Sequence, residues 1–183
     1  MPQLTLEEGA ELLQVAYDAL RLKIACDQCY RGTPVHLALH GQGTAFVTLK
    51  RGGALRGCIG HLIPLGPLYL AVADCAVAAA TRDPRFDAIT KEELNDIRID
   101  ISVLSPLETV VDFSLIEIGK HGLYIERGGR QGVLLPQVAI EHGLDREQFL
   151  SLTCRKAGLA PDAWKQGAVV KVFSAQIFQS ESL

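Results

Sequence analysis

The chain has 183 residues, 48% hydrophobic and 21% charged, with a formal net charge of −3, which is the profile of an ordinary soluble domain and excludes a disordered or fibrous chain. At this length roughly 70% of the unfolded surface can be buried on folding, so no disulfide framework or structural metal is needed to make up for a small core. A pI near 5.9 supplies no basic face for a nucleic-acid duplex; Lys50, Arg51 and Arg56 form only a small local cluster of the kind that solvates a turn.

The most apolar stretch, Leu68 to Ala80, has Asp74 at its centre and Pro64 and Pro67 before it, far short of the roughly 20 residues that a membrane-spanning helix requires. The opening Met-Pro-Gln-Leu-Thr-Leu-Glu-Glu lacks the basic start and apolar stretch of a secretory signal. Five cysteines, an odd number, point to reduced thiols and a cytoplasmic setting.

In chain order, Thr5 and Glu8 suit a capping box, and Leu13, Ala16, Tyr17, Leu20 and Ile24 follow at helical spacing, which predicts an amphipathic helix over residues 5–25. Asp27 to Gly43 is mixed, with a short strand expected at Val35 to Leu39. Thr44 to Gly60 reads as a hairpin turned at Gly52-Gly53, and Gly122 to Pro136 repeats its plan around Arg127-Gly-Gly. Pro67 to Thr81 and Lys91 to Asn95 are expected as helices before a strand Ile97 to Leu104; Gln137 to His142 and Asp145 to Ala157 are expected as helices before a strand Ala168 to Phe178. The expected architecture is one α+β domain over residues 1–183: a duplicated hairpin-helix-helix-strand repeat, approximately 44–105 and 120–179, around a shared mixed, barrel-like sheet, plus the N-terminal helix.

Aligning Gly57 with Gly132 places Cys58 opposite Val133, so a thiol occurs in one copy only. Within Leu55-Arg-Gly-Cys-Ile-Gly60, Gly57 and Gly60 leave the backbone open around Cys58, and Arg56 is a nearby cation. That makes Cys58 a candidate nucleophile and Arg56, Gly57 and Gly60 candidate binding residues; a buried structural cysteine beside turn glycines is the competing reading. On a regular strand Arg56 and Cys58 share a face, whereas a bulge at Gly57 turns them apart. Asp83-Pro-Arg-Phe86 either holds Arg85 over an anion pocket or stops the preceding helix at Pro84.

Other signals are weaker. Cys26 and Cys29 form a lone C-x-x-C without the second ligand pair that zinc wants, and they sit at the C-terminal end of a helix, where no dipole favours thiolate. No metal site is expected. Histidines 36, 40, 61, 121 and 142 are scattered, with only His61 near Cys58 in sequence. Cys154 reads as a core thiol on a helix ended by Gly158, and Trp164 as a packing anchor. No dinucleotide, Walker, esterase or metalloprotease motif is present.

Taken in order, Leu55-Arg-Gly-Cys-Ile-Gly60, Asp83-Pro-Arg-Phe86, Ile101-Ser-Val-Leu-Ser-Pro106, Gly119-Lys-His-Gly-Leu123, Gly132-Val-Leu-Leu-Pro-Gln-Val138 and Cys154-Arg-Lys-Ala-Gly-Leu159 resemble the AMMECR domain family over nearly the whole chain. The resemblance implies a duplicated α+β unit around a barrel-like mixed sheet. It also implies likeness to component A of the microbial AmmeMemoRadiSam system, beside a Memo-like protein and a radical S-adenosylmethionine protein, which suggests a modification pathway. It implies no reaction and no cofactor. Two functions stay open: a binding or accessory subunit that seats a segment beside Arg56 to Gly60, and a thiol-dependent enzyme using Cys58.

Overall fold

The first helix, α1 (Leu6–Cys26), starts where its sequence signals it. In the computed structural model, which describes residues 3–180, the Thr5 hydroxyl accepts from the Glu8 amide and the Glu8 carboxylate accepts from the Thr5 amide, closing the capping box. Glu7 and Glu8 in the first turn and Lys23 in the last complement the helix dipole. Leu12, Val15, Ala16, Ala19 and Leu20 are buried, one stripe at three- and four-residue spacing. Asp27, in the left-handed region at φ 53°, ends the helix. Met1 and Pro2, the start of the stretch read for a signal, lie outside the described residues.

The chain forms two compact units, one reaching Leu104 and resuming at Gln176, the other Ser105–Ala175. In the first, β1 (Ala45–Arg51) pairs antiparallel with β2 (Ala54–Gly60) and with β3 (Ile97–Leu104). Gly52 and Gly53, both at positive φ, turn the hairpin. α2 (Leu68–Thr81) and α1 cover the face formed by Val47, Leu49, Ile99 and Ile101, all buried in one apolar core. In the second unit, β5 (His121–Arg127) pairs antiparallel with β6 (Arg130–Leu134) around Gly128-Gly129 and with β7 (Val169–Gln179), while β4 (Glu108–Thr109) pairs on β7. Its core gathers Leu123, Ile125 and Val170 from the strands with Ala139 of α3 (Pro136–Glu141) and Phe149, Leu150 and Cys154 of α4 (Arg146–Lys156). The fold is α+β. Among the described residues no helix is long and apolar enough to cross a membrane.

Each unit brings a helix end down onto its hairpin at a glycine. A Cβ on Gly57 would lie 2.1 Å from the Ala79 carbonyl oxygen of α2. One on Gly132 would lie 2.5 Å from the Ala157 nitrogen and 2.7 Å from the Thr153 carbonyl oxygen, at the end of α4. No side chain fits either place without moving helix or strand.

Three expectations change. The strand expected at Val35 to Leu39 is instead a 3₁₀ turn, Leu37–His40. The Val35 and His36 amides donate to the Glu11 carboxylate at 2.5 and 3.0 Å, which removes the donors a ladder would need. The helix expected at Lys91 to Asn95 shrinks to a turn ending in a single 3₁₀ turn, Leu94–Asp96: the Glu93 carboxylate accepts from the Thr90 amide at 2.9 Å, as at a helix start, but the chain is already extended at Ile97, where β3 begins. The sheet expected as mixed is antiparallel at every pairing given above. β2 and β3, joined through α2, do run parallel, but β1 lies between them.

Gly57→Ala and Gly132→Ala are therefore each expected to lower stability by about 1–3 kcal/mol through overpacking. Gly66→Ala, where an added Cβ meets nothing within 4 Å, is expected to stay within about 0.5 kcal/mol of the parent. Urea unfolding midpoints at constant slope measure all three.

Candidate functional site

The hairpin β1–β2 is not regular. Pairing runs Thr48↔Cys58 and Leu49↔Gly57, then jumps to Lys50↔Leu55, so Arg56 is an extra residue accommodated as a bulge. The hairpin β5–β6 has no such jump: Tyr124↔Val133, Ile125↔Gly132 and Glu126↔Gln131 follow in sequence. Counting from the paired glycines, the first copy has one residue more than the second, and that residue is Arg56.

The bulge commits Arg56 to the turn before β3. Its Nε and Nη2 donate to the two Glu93 oxygens at 3.0 Å each, and Nη1 donates to the Asp87 carbonyl at 2.7 Å. Arg51 Nη1 also reaches Glu93, at 3.2 Å. The bidentate Arg56 guanidinium, aided by the Thr90 amide, holds the Glu93 carboxyl down at about 2. Arg56 is thus a positioning residue for the 87–93 turn, and its donors face Glu93 and the Asp87 carbonyl.

Cys58 is half-buried, and its Sγ lies 3.2 Å from the Thr48 hydroxyl across the strand pair. Its amide donates to Asp83 Oδ2 at 2.9 Å. β2 is an edge strand, so this carboxylate satisfies a donor that has no neighbouring strand. Asp83 is buried and is gripped by Arg85, whose Nε and Nη2 donate to its two oxygens at 2.9 and 2.7 Å and whose amide donates at 3.1 Å. That grip, with the Cys58 amide, holds the Asp83 carboxyl far below the usual carboxylate range. The Arg85 side chain remains 55% exposed, its Cζ 5.4 Å from the Phe86 ring.

Of the two readings of Asp83-Pro-Arg-Phe86 the helix stop is seen, since α2 ends at Thr81, before Pro84, while the Arg85 guanidinium is bonded to Asp83 with its outer edge open. Gly57 serves the helix contact, and Gly60 lies against Phe46, where a Cβ would be 2.3 Å from the ring. The motif pattern points to Arg85 but not to its acceptor Asp83, and nothing local in the sequence marks Glu93 or Thr48. A hairpin counted evenly from Gly52-Gly53 sets Thr48 opposite Gly57; only the bulge brings it to Cys58.

The other thiols and imidazoles lie elsewhere. Cys75 is buried with its thiol pushed up to about 11, chiefly by burial, and Cys154 is raised in the same way. Cys154 sits on α4, which ends as expected: the Gly158 and Leu159 amides bond back to the Arg155 and Cys154 carbonyls, with Gly158 at φ 70°. Cys26 and Cys29 are exposed, and among the described residues no three histidine, cysteine or acidic side chains cluster to hold a metal. His36 Nδ1 lies 2.6 Å from Glu11, His40 Nε2 2.9 Å from the Pro34 carbonyl, and His121 Nδ1 accepts from the Glu117 amide at 3.1 Å. His61 and His142 are exposed. Among the described residues no imidazole bonds Cys58.

Acid should open this site. Glu93 and Asp83 both titrate lower in the folded chain than unfolded, so their ion pairs stabilise fully above about pH 4.5 and lose that contribution as pH falls toward 2. Glu93→Gln is expected to cost about 1–3 kcal/mol at pH 7 and to flatten the loss of stability between pH 4.5 and 2. Urea unfolding across that range measures both effects.

Comparison with known proteins places the chain. The AMMECR1 family model matches residues 13–178. A Methanosarcina mazei protein is 48% identical over 141 residues, covering 74% of this chain and 71% of the relative. Protein MK0488 of Methanopyrus kandleri is 41% identical over 189 residues, covering 98% and 91%. The crystal structure of the uncharacterized protein PH0010 from Pyrococcus horikoshii has a TM-score of 0.89 at 36% identity and covers 96% of this chain and 93% of that one. With its family model spanning most of its length and its fold shared with that structure, this chain belongs to the AMMECR1 family.

Proposed function

We propose that this AMMECR1-family domain is a binding or accessory component, which seats a segment of a substrate or partner protein against the β2 edge at Arg56 to Gly60, with Arg85 contacting the bound segment. The observation that carries this reading is the bonding of the thiol: Cys58 Sγ meets a threonine hydroxyl, while the charged groups around it are held in ion pairs, Arg56 with Glu93 and Arg85, its outer edge still open, with Asp83. A thiol with a hydroxyl partner has no base to take its proton, while the strand that carries it is tied to Asp83 through the Cys58 amide and to Glu93 through Arg56. The microbial system resembled by the sequence supplies the partners to try, a Memo-like protein and a radical S-adenosylmethionine protein acting in a modification pathway. A reducing cytoplasm suits five unpaired thiols.

The competing reading, a thiol-dependent enzyme with Cys58 as nucleophile, is favoured by one observation: the matching position in the other hairpin is the apolar Val133, so packing alone does not demand a thiol there.

One experiment separates them. Binding of the reduced, full-length domain to each of the two associated proteins is measured by titration calorimetry, and turnover of the assembled set is followed. Cys58→Ala is expected to retain binding and turnover, while Arg85→Ala weakens binding about tenfold or more and Arg85→Lys restores part of it. Failure of the wild-type domain to bind either protein would overturn the accessory reading. Loss of turnover in Cys58→Ala with binding intact would establish the enzyme instead.

A further inference from the structure

The two hairpins differ in charge at their tips. In the first, Arg51 precedes Gly52-Gly53 and pairs across the strands with Ala54, and its guanidinium is met by Glu93 at 3.2 Å and by Asp96 at 3.3 Å. In the second, Arg127 precedes Gly128-Gly129 and pairs across the strands with another arginine, Arg130. Both are exposed, and among the described residues neither forms a salt bridge. Like charges directly opposite on a strand pair repel, so the second tip holds two guanidiniums together without the anions that neutralise the first.

The surroundings add to this charge. Alternation places Arg127 and Arg130 on the face where Ile125 meets α4, and Arg130 Nη1 donates to the Gly158 carbonyl at 2.8 Å, just past the end of that helix. Arg155 and Lys156 stand exposed in its last turn, and among the described residues they too form no salt bridge. A helix C-terminus offers such cations only about half a negative charge. The nearby acids are engaged elsewhere: Glu126 accepts from Tyr124 at 2.5 Å and from Lys171 at 3.1 Å, and Asp162 accepts from Gln166 at 2.6 Å. Arg127, Gly128, Gly129, Arg130 and Gly167 border a cavity of about 370 Å³, with Glu126 also in its wall, a volume within the range of small-molecule sites. The three glycines have positive φ, and a Cβ on any of them would meet nothing within 4 Å, so the main chain there is open to a ligand.

We propose that the Arg127-Gly-Gly-Arg130 tip is an anion site that takes a phosphate group, free or as the monoester of a small molecule. Charge selects the class. A carboxylate neutralises one guanidinium, whereas a phosphate dianion matches two, and its terminal oxygens accept from guanidinium forks and main-chain amides together. The glycines let that oxyanion come close to the backbone, where a Cβ would stand in the way. A nucleic-acid strand would need a basic track along its length rather than a single tip.

Amide spectra of the isotope-labelled full chain, titrated with inorganic phosphate or phenyl phosphate at about pH 7.5, where both are mainly dianionic, test the proposal. Sodium acetate is the carboxylate control, and sodium chloride holds the ionic strength constant. The Gly128, Gly129 and Gly167 signals are expected to shift and saturate, with a dissociation constant on the order of 1 mM. Arg127→Ala, at a side chain with no hydrogen bond among the described residues, is expected to weaken binding about tenfold, and Arg130→Lys, which keeps the charge and loses the fork, about threefold. Lys91→Ala, at an exposed cation of the other unit, is expected to change nothing. Tighter binding of phenyl phosphate assigns the site to a monoester; equal or weaker binding assigns it to free phosphate. Shifts that never saturate, an affinity unchanged in Arg127→Ala with its circular dichroism intact, or acetate binding as tightly as phosphate overturns the proposal.

Discussion

The contact between the last turn of α2 and the backbone of β2 at Gly57 governs what surrounds Cys58. With the Ala79 carbonyl oxygen only 2.1 Å from where a Cβ would stand, helix and strand meet closer than any side chain allows. Asp83 follows the helix by two residues, and at that separation its carboxylate reaches the outward-facing amide of Cys58. A wider gap between helix and strand would leave an edge-strand donor bare and a buried carboxylate with one partner fewer. Arg85 then closes on the same carboxylate, so a packing constraint on one glycine becomes a fixed arrangement of thiol, carboxylate and guanidinium.

Gly132 repeats the contact in the other unit, and the two hairpins show what the first copy does differently. Their salt bridges keep the place and exchange the sign: Lys50 pairs with Asp100 at 2.7 Å, and at the matching positions Glu126 pairs with Lys171 at 3.1 Å. Thr48 and Cys58 face one another where Tyr124 and Val133 do in the other copy. Tyr124 is drawn into the ion pair instead, its phenol pushed up to about 12 by burial and by donating to Glu126. The first copy alone has the extra residue, Arg56, and the carboxylate that receives it, Glu93. Their bidentate pair fixes the 87–93 turn, which lies between Asp83-Pro-Arg-Phe86 and β3.

Local signals carried most of the fold. The capping box at Thr5, the glycine pairs in both hairpins, the alternation of β3 and the Gly158 stop each depend on neighbours a few residues away, and each appears where the sequence puts it. Two of the misses depended on distant partners. Glu11 lies 24 residues before the Val35 amide that it takes from a strand, and Glu93 lies 37 residues after the Arg56 guanidinium that it receives. The bulge belongs to the same class: local pattern sets Arg56 and Cys58 on one face, and only the pull of Glu93 and the register with β1 turn them apart. Cys58, Gly57 and Arg85 were therefore legible as separate candidates, whereas Asp83 as the acceptor that joins Cys58 to Arg85 was not.

Two ion pairs lie close to Cys58 and bear on how its surroundings act. Of the charged groups close to it, Asp83 and Arg85 cancel one another, and Arg56 is cancelled by Glu93. Closed ion pairs carry no net charge, so steering of a charged ligand from a distance is weak here. On the proposed accessory reading, selection comes at contact range, from the open side of the Arg85 guanidinium and from shape. Groups already fixed by ion pairs lose little freedom when a segment binds, which lowers the ordering cost of recognition. Nucleophilic use of Cys58 has the opposite requirement: a group able to accept the proton, which a threonine hydroxyl does not supply.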